Sequence, residues 1–486
     1  MTTQAKLMSN WRWWLCSLLF VATTVNYLDR QVLSLTYEEF IKPQFHWTDA
    51  DYGTITSFFS IFYAIACLFA GKFVDWMGTK KGYLIAIGVW SFGACLHALC
   101  GVTTAHMVDG VGSVAAMKAL ETGSNAALAV ATTSVYLFLL CRGILALGES
   151  GNFPAAVKIT AEYFPKKDRA FATSIFNAGA SVGALAAPLM IPPLAVKLGW
   201  EMAFIIIGAL GFVWMFFWQF MYEKPEKSKH VNAAELEYIH EDDAAEAAER
   251  AEAAASEEKP IPMLKCFTYR QTWSFIIGKF FTDGVWWFFL FWAPSYFSNQ
   301  FHAPATSFLG QSLIFTLYVI VTVISIFGGY LPRIFVDKKG MHPYHGRMLA
   351  MLMFAVLPIA SLLAQPLGMH FENPWWVAIL IGIAAAGHQA WSANIFSTVG
   401  DMFPKSTIAT VTGIGAMAGG VGSMIIQKIA GNLFTYAEQA GSAFTFMSFE
   451  GKSAGYYVIF CFCGVAYLIA WCIMKMLVPK YKPIVQ

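Results

Sequence analysis

The sequence predicts an all-α integral membrane protein in which twelve transmembrane helices form two pseudo-symmetric six-helix bundles. Hydrophobic residues make up 57% of the 486 residues and charged residues only 13%, a balance typical of a chain surrounded by lipid. Twelve apolar stretches are each long enough to cross a bilayer, which takes ~20 residues. One stretch of the first half also recurs in the second half, which indicates a duplicated bundle.

The apolar stretches follow one another with short polar connections along most of the chain. The first lies close to the start of the chain, but it is too long and too charged for a signal peptide, and no small-residue cleavage site follows it. We therefore interpret it as the first membrane helix. The predicted spans are 13–36, 52–74, 82–105, 127–160, 170–193, 201–222, 272–299, 308–335, 347–367, 374–400, 408–434 and 455–478.

Lysine and arginine are unevenly distributed between the two sides of this arrangement. The loops on one side carry most of them, whereas those on the other side carry Lys42, Lys118, Lys197 and Lys452. Cytoplasmic loops are enriched in these residues, so both termini are expected in the cytoplasm. We expect the protein to lie in the lipid bilayer as a monomer. The net charge is only +2, and no nucleic-acid partner is expected.

An internal repeat defines the two halves. The stretch YFPKKDRAFATSIFNAGASVGA begins at Tyr163, and MFPKSTIATVTGIGAMAGGVGS begins at Met402. Phe164, Pro165, Lys166, Ala170, Thr173 and Gly183 match Phe403, Pro404, Lys405, Ala409, Thr412 and Gly422 at one constant offset. Parallel repeats of this kind are typical of transporters built from two six-helix halves.

Two segments do not fit the repeat. The polar stretch 103–125 is interpreted as an extracellular insertion, so that the first bundle covers residues 1–222. Residues 223–271 are rich in Ala and Glu and show no core-forming face, which predicts a solvated, partly helical, acidic cytoplasmic linker. We interpret it as a passive tether rather than a regulatory element, and the second bundle covers 272–486.

The chain shows no sign of enzyme chemistry. Its nine cysteines are scattered and form no zinc or disulfide framework. We find no nucleophile motif and no phosphate-binding loop that would support a membrane enzyme. A sensor that binds its ligand without moving it stays open as an alternative to a transporter.

Ionisable residues inside the first and fourth spans are the main functional candidates, because a charge in hydrocarbon costs from about 2.5 kcal/mol upward. Asp29 and Arg30 are adjacent, so their side chains point ~100° apart around the helix. Arg142 and Glu149 are seven residues apart and share one helix face. A purely structural ion pair is the alternative for Arg142 and Glu149.

We expect these four residues to divide the work of a proton-coupled carrier. Arg30 is expected to face a central cavity and bind a substrate carboxylate, because a guanidinium can hold a carboxylate with two hydrogen bonds. Asp29 is expected to point towards the fourth helix and couple to Arg142 or Glu149. Asp29 and Glu149 are assigned as proton carriers, since the proton affinity of a carboxylate changes when its cationic partner leaves.

The second half offers further candidates. Lys279 and Asp283 are four apart on the seventh helix. Either the two form a structural ion pair, or Lys279 supplies a second cation to an anionic substrate. We prefer the second interpretation, because substrates of such two-half transporters lie between the halves. The aromatic run Trp286, Trp287, Phe288 and Phe289 is interpreted as packing or lipid-facing.

Polar residues in otherwise apolar helices could contact hydroxyl groups of a substrate. His388, Trp391 and Asn394 step by three along the tenth helix, where an indole can stack and an amide can donate hydrogen bonds. A core histidine whose hydrogen bonds are made within the protein is an equally supported interpretation of His388. Tyr63 and Asn177 are also assigned to the substrate site.

Several motifs resemble the major facilitator superfamily. The loop GKFVDWMGTKK carries Gly71, Asp75, Gly78, Lys80 and Lys81 at the family's positions, although a tryptophan follows Asp75 where a basic residue is usual. The resemblance implies that Asp75, Lys80 and Lys81 gate the cytoplasmic side by latching the two halves when the cavity opens outward.

Other motifs narrow the resemblance to the anion:cation symporters. Tyr27, Asp29 and Arg30 form Y-x-D-R, and Arg142 and Glu149 form R-x6-E. The stretches FTDGVWWFFLFWAPSYF, GHQAWSANIF and DMFPK are similar to bacterial hexuronate transporters.

The resemblance implies a function and a location. It implies a secondary active transporter in the inner (cytoplasmic) membrane of a bacterium that imports an anionic small molecule, a hexuronate such as glucuronate or galacturonate. The implied mechanism is proton symport with alternating access, with no cofactor besides the coupling proton. It adds Tyr27 to the substrate site. Another organic anion, such as an aldonate, a glucarate-type diacid or an aromatic acid, is the alternative substrate.

Overall fold

The computed structural model describes residues 8–241, 261–404 and 407–484 of the chain, so that Lys405 of the repeat and residues 242–260 of the predicted linker lie outside the described residues. The helices of the first half are α1 (Trp11–Thr36), α2 (Lys42–Phe45), α3 (Asp49–Met77), α4 (Thr79–Leu96), α5 (Cys100–Met107), α6 (Val114–Lys118), α7 (Asn125–Glu149), α8 (Asn152–Tyr163), α9 (Lys166–Leu198) and α10 (Trp200–Met221). Those that follow are α11 (Ala233–Ile239), α12 (Met263–Cys266), α13 (Arg270–Phe301), α14 (Phe308–Lys339), α15 (Pro343–Val356), α16 (Ala360–His370), α17 (Pro374–Met402), α18 (Ile408–Ala440) and α19 (Gly451–Leu477). A two-stranded antiparallel hairpin of β1 (Thr445–Phe446) and β2 (Phe449–Glu450) precedes α19.

The predicted membrane architecture is confirmed. Within the described ranges, eleven helical segments are long and apolar enough to cross a bilayer. The twelfth span is α1, which has 26 residues but carries Asn26, Asp29, Arg30 and Gln31, polar residues that lower its average hydropathy. All four of these side chains are buried, so α1 hides its polar face inside the bundle.

The fourth span is broken where the sequence predicts one helix over 127–160. Helix α7 ends at Glu149 and α8 begins at Asn152. Just before the break, a Cβ on Gly148 would lie 2.2 Å from the backbone nitrogen of Trp90 in α4. The glycine therefore lets the fourth span approach the third at the level of Glu149, which only a residue without a side chain permits.

The repeat seen in the sequence corresponds to one packing contact made twice. A Cβ on Gly183 of α9 would lie 2.6 Å from the carbonyl oxygen of Thr24 in α1. The matching residue, Gly422 of α18, would place its Cβ 1.9 Å from the carbonyl oxygen of Phe280 in α13. Each half thus packs its fifth span against its first span through a glycine, as the duplication predicts.

The two halves meet along an antiparallel seam between α3 and α18. The backbone nitrogen of Ala50 donates to Thr435 Oγ1 at 2.8 Å, and Ser57 Oγ donates to the carbonyl oxygen of Met424 at 2.9 Å. Further along, Ser423 Oγ donates to Ser60 Oγ at 2.9 Å. The partners on α3 step by seven and then by three, while the partner numbers on α18 fall, which shows that the two helices run antiparallel. Small side chains at these positions bring the two backbones close. We call the end of the bundle where α3 begins the Asp49 end and the opposite end the Asp75 end.

The 103–125 segment and the linker both pack on the first half. In the first of these, His46 Nε2 lies 3.0 Å from the carbonyl oxygen of Met117, whose side chain is buried. In the linker, Glu235 of α11 is fully buried, accepts hydrogen bonds from the backbone nitrogens of Trp11 and Arg12, and pairs with the Arg12 guanidinium at 3.0 Å. The prediction that the linker lacks a core-forming face is wrong for this part, because a single buried acid here caps the first turn of α1.

The helix-contact glycines yield a prediction about stability. Gly422→Ala should lower the free energy of unfolding by roughly 1–3 kcal/mol, because the new methyl group overlaps a backbone carbonyl that cannot move without shifting α13. The measurement is the thermal unfolding midpoint of the purified protein in detergent.

The matched control is Gly400→Ala in α17, where a Cβ would meet nothing within 4 Å. Alanine favours a helix over glycine, so this control should keep or slightly raise the midpoint. An equal fall of the midpoint in both variants would refute the packing role of Gly422.

Candidate functional site

A buried ion pair between Arg30 of α1 and Glu149 of α7 lies at the centre of the first half. Arg30 donates from Nε at 3.0 Å and from Nη2 at 2.7 Å to the same oxygen, Glu149 Oε2. Both side chains are almost inaccessible to solvent. Glu149 Oε1 has no hydrogen-bond partner among the described residues, so the carboxylate is held on one oxygen and its other oxygen stays unsatisfied.

Asp29 and Arg142 flank this pair without closing a hydrogen bond. Asp29 is buried and lies within electrostatic reach of Glu149 and Arg142. In the described part of the chain, neither carboxylate oxygen of Asp29 has a hydrogen-bond partner, and the same holds for Nε and Nη1 of Arg142. Buried polar atoms are rarely left unpaired, so this cluster is a place for protons or water to enter.

Both members of the adjacent pair interact with the fourth span. The sequence expected Asp29 to couple to Arg142 or Glu149, and Asp29 lies within electrostatic reach of both. It expected Arg30 to bind the substrate, and it missed that Arg30 also pairs with Glu149. Adjacency gives the two side chains different directions, but helix geometry alone does not say which of them pairs with Glu149.

Aromatic rings enclose the Arg30 guanidinium. Its Cζ lies 5.1 Å from the ring centroid of Tyr27, 4.8 Å from that of Tyr63 and 5.7 Å from that of Phe59. The fourth ring is Trp287 of α13, at 4.9 Å, which belongs to the second half. Arg30 therefore lies where the halves meet, and rings attract a cation placed over their faces. Of the two interpretations of Trp287, packing agrees with its ring contacts, and the sequence missed only that the ring also covers Arg30.

The predicted pair on α13 is present. Lys279 Nζ lies 2.8 Å from Asp283 Oδ2, and it also lies 4.5 Å from the ring centroid of Phe396. Asp283 Oδ1 has no hydrogen-bond partner within the described ranges. Lys279 is buried and held by a single carboxylate oxygen, the same arrangement that Arg30 shows in the first half.

The stripe on α17 is occupied by contacts within the second half. His388 Nδ1 lies 2.8 Å from the hydroxyl of Tyr467, which itself donates to the carbonyl oxygen of Thr282 at 3.1 Å. The Tyr467 hydroxyl has one proton, which it donates to Thr282, so it accepts a hydrogen bond from His388. His388 therefore matches the interpretation of a core histidine whose hydrogen bond is made within the protein. Asn394 Nδ2 donates to the carbonyl oxygen of Gly328 at 3.0 Å, and Trp391 is fully buried.

The remaining candidates from the sequence make no hydrogen bond to this centre in the described part of the chain. Asn177 is exposed on α9. Asp75 pairs with Lys158 at 2.7 Å, a partner in its own half that the sequence did not single out, and the Asp75 side chain is 71% exposed. Lys80 and Lys81 lie in the first turn of α4, just after this aspartate.

A second buried ionic cluster joins the halves at the Asp49 end, and we call it the Asp49 latch. Asp49 is fully buried and pairs with Lys42 at 3.2 Å and, across the halves, with Lys452 at 2.7 Å. Glu38 accepts a hydrogen bond from Ser295 Oγ of the second half at 2.6 Å.

The latch keeps its lysines charged and closes one end of the bundle. Burial lowers the pKa of Lys42, but Asp49 and Glu38 outweigh it and raise that pKa above its ordinary value. With the seam from Ala50 to Ser60, the latch holds the halves together at the Asp49 end. Lys42 and Lys452 were visible in the sequence as two of the few lysines on the predicted outer side, but their shared partner was not.

In the described part of the chain, no three His, Cys, Asp or Glu side chains cluster as ligands for a metal ion. The geometry of the Arg30 centre itself permits an exchange of partners, because Glu149 is held on one oxygen. A carboxylate other than Glu149 can compete for Arg30, and a proton can occupy the carboxylate that is displaced.

Comparisons with known proteins identify the family and the fold of this chain. The family model described as the Major Facilitator Superfamily matches residues 19–426. The Hexuronate transporter of Escherichia coli (strain K12) is 27% identical over 87% of this chain and 87% of its own length. The Probable galactarate/D-glucarate transporter of the same organism is 25% identical over 90% of this chain and 91% of its own length. Among solved structures, an inward-facing, unoccupied bacterial homolog of the human lysosomal transporter Spinster superposes with a TM-score of 0.66 at 16% identity, covering 98% of this chain and 99% of that chain.

The latch yields a prediction about coupling between the halves. Asp49→Asn removes the carboxylate that Lys42 and Lys452 share, although Lys42 keeps Glu38 at 3.1 Å and Lys452 keeps Glu438 at 3.6 Å. Because both lysines are only partly exposed, the loss should cost roughly 1–3 kcal/mol and lower the thermal unfolding midpoint. Adding Lys452→Gln should restore part of the loss, because one of the two cations left without their shared carboxylate is removed.

Asp109→Asn, in the exposed part of the 103–125 segment, is the matched control and should leave the midpoint unchanged. If the double variant is less stable than either single variant, the two residues do not form the pair described.

Proposed function

This chain belongs to the Major Facilitator Superfamily, and from that premise we propose that it imports a sugar acid, a hexuronate such as glucuronate or galacturonate, together with protons. It is a multi-pass membrane transporter of small molecules and not an enzyme. The proposed site is the Arg30 centre, and the single observation that supports it most is the arginine held by one oxygen of a buried glutamate.

Charge selection follows from the residues at the centre. Arg30, Arg142 and Lys279 are three buried cations; the carboxylates Asp29 and Glu149 are buried, and Asp283 is largely buried. A sugar acid brings a carboxylate that can replace Glu149 on Arg30, whereas a neutral sugar would leave the arginine without a charged partner. Leaving a buried charge unpaired is costly, so the site favours anions.

Proton coupling follows from the same replacement. When a substrate carboxylate takes the guanidinium, Glu149 loses its cationic partner and becomes easier to protonate. Asp29, whose oxygens are unsatisfied beside Arg142, is the second proton carrier in this proposal. Import of the anion with at least one proton then follows, because the substrate and the proton each stabilise the state in which Glu149 has left Arg30.

Alternating access uses the two ends of the bundle. The excess of Lys and Arg at the Asp75 end supports a cytoplasmic location of that end, and of both termini, under the positive-inside rule. The Asp49 latch then closes the outer side in the conformation described, and opening that side requires Asp49 and Lys452 to separate. In the outward-open state, Asp75, Lys80 and Lys81 are the proposed cytoplasmic gate. We propose a monomer in the inner membrane of a bacterium, with the proton as the coupling ion.

A second candidate substrate class is an open-chain sugar acid. The similarity to a probable galactarate/D-glucarate transporter favours this alternative. Uptake into proteoliposomes driven by a pH gradient, with glucuronate, galacturonate, an aldonate and an aldarate as competitors, distinguishes the two classes.

Glu149→Gln tests the proposed coupling. This variant keeps an oxygen for Arg30 but cannot carry a proton, so uptake driven by a pH gradient should fall at least about tenfold while exchange of labelled for unlabelled substrate persists. The measurement is accumulation and counterflow in the same proteoliposomes.

Glu121→Gln in the exposed 103–125 segment is the control and should behave as the wild type. Accumulation by Glu149→Gln with normal proton uptake would refute the assigned role.

A further inference from the structure

Trp287 is the contact that the second half makes with the Arg30 centre. Its ring centroid lies 4.9 Å from the Arg30 guanidinium carbon and 6.0 and 6.2 Å from the rings of Phe59 and Tyr63. Arg30 and Phe59 are buried, whereas Trp287 and Tyr63 keep part of their surface accessible. Any molecule that reaches Arg30 between the halves therefore passes the face or the edge of an aromatic ring.

The indole of Trp287 has an unused donor. Its Nε1 makes no hydrogen bond to another residue in the described ranges, whereas Trp292, little more than one turn later, donates from Nε1 to Gln427 Oε1 at 2.7 Å. Indole nitrogens enclosed by protein usually have a partner. Trp292 follows this rule, whereas the buried indole nitrogens of Trp11, Trp90 and Trp391 have no partner in the described ranges. What distinguishes Trp287 is therefore its position on the Arg30 guanidinium with part of its surface accessible. Trp287 thus presents both a flat apolar face and a free N–H at the junction of the halves.

Three turns of α13 line up with this ring. Lys279, Asp283 and Trp287 follow at intervals of four, so they occupy neighbouring positions along one side of the helix. The ion pair of Lys279 with Asp283 lies on the turns before Trp287. The second half therefore offers a cation, a carboxylate and an aromatic face in order, opposite the arginine of the first half.

We propose that Trp287 is a specificity-determining residue that stacks against the ring of a cyclic sugar acid whose carboxylate is bound by Arg30. This inference rests on the proposed function and adds to it the form of the substrate. A pyranose has a fixed face of C–H groups that fits an indole, and its hydroxyls can accept from the free N–H. An open-chain aldonate or aldarate has no fixed flat face, so it gains less from this contact.

The location of Trp287 also links recognition to closure. Arg30 belongs to the first half and Trp287 to the second, so a ring held by both joins the halves. An open-chain acid can occupy Arg30 without engaging the second half in the same way. Selection for the cyclic form is thereby coupled to the approach of the halves around the substrate.

The test compares Trp287→Ala and Trp287→Phe with the wild type in proteoliposomes. The readouts are KM and maximal rate for a labelled cyclic hexuronate, and the inhibition constant of an open-chain aldonate. Trp287→Ala should raise KM for the hexuronate about tenfold, as expected for the loss of one aromatic stack, and change the aldonate inhibition constant less than about twofold. Trp287→Phe keeps a ring but loses the N–H and should raise KM about threefold.

Trp375→Ala, an exposed tryptophan at the start of α17, is the control and should keep wild-type constants. Equal losses for the cyclic and the open-chain acid in Trp287→Phe would overturn the inference, because Trp287 would then act only by supporting Arg30. An unchanged KM for the hexuronate in both Trp287→Ala and Trp287→Phe would also overturn the inference. If the wild type carries no sugar acid at all, the proposed function itself has failed. If the wild type does carry a sugar acid, but the variants lose the cyclic and the open-chain acid equally, only the role of Trp287 is refuted.

Discussion

The structure depends on a buried arginine that a glutamate from another helix holds by a single oxygen. Taking Arg30 and Glu149 out of water is costly, and their attraction repays this cost only with good geometry. Two hydrogen bonds to one oxygen supply that geometry. Among the residues that the structure describes, Glu149 nevertheless keeps one oxygen unsatisfied, and both oxygens of Asp29 and Nε and Nη1 of Arg142 have no hydrogen-bond partner. The pair therefore holds the fourth span against the first. It also leaves buried polar atoms without hydrogen-bond partners, and a proton or a substrate carboxylate can become that partner.

The surrounding helices serve this arrangement. Gly148 brings the fourth span close to the third one residue before Glu149, and Gly183 brings the fifth span close to α1 near Tyr27. The Asp49 latch and the α3–α18 seam join the halves at one end. In the proposed cycle, a change at Arg30 is felt at the junction of the halves, because Trp287 of the second half lies directly on its guanidinium.

Much of the fold could be predicted from the sequence, because hydropathy and the repeat are local signals. The spans, the two bundles and the equivalence of Gly183 and Gly422 follow from these signals alone. The sequence also indicated that Arg142 and Glu149 share a face. It could not decide whether Asp29 or Arg30 meets Glu149, because a rotation of about 100° separates the two and only the packing of neighbouring helices fixes the rotation.

The contacts missed by the sequence join distant segments. Lys452 reaches Asp49, Trp287 reaches Arg30, and Glu235 reaches the start of α1. Each of these residues has an ordinary local interpretation as a loop lysine, a lipid-facing tryptophan or a solvated linker acid. Their roles arise from the way the halves and the linker pack together, which no local pattern contains.

Proton uptake on substrate binding tests the central claim most directly, since the claim is that Arg30 is shared between Glu149 and the substrate carboxylate. Calorimetric titration of the purified protein with the hexuronate, in buffers of different ionisation enthalpy, gives the number of protons taken up per substrate bound. The account predicts net proton uptake by the wild type, tighter binding as the pH falls, and loss of this linkage in Glu149→Gln. Binding with no proton uptake at any pH, or with equal uptake in the glutamine variant, would contradict it.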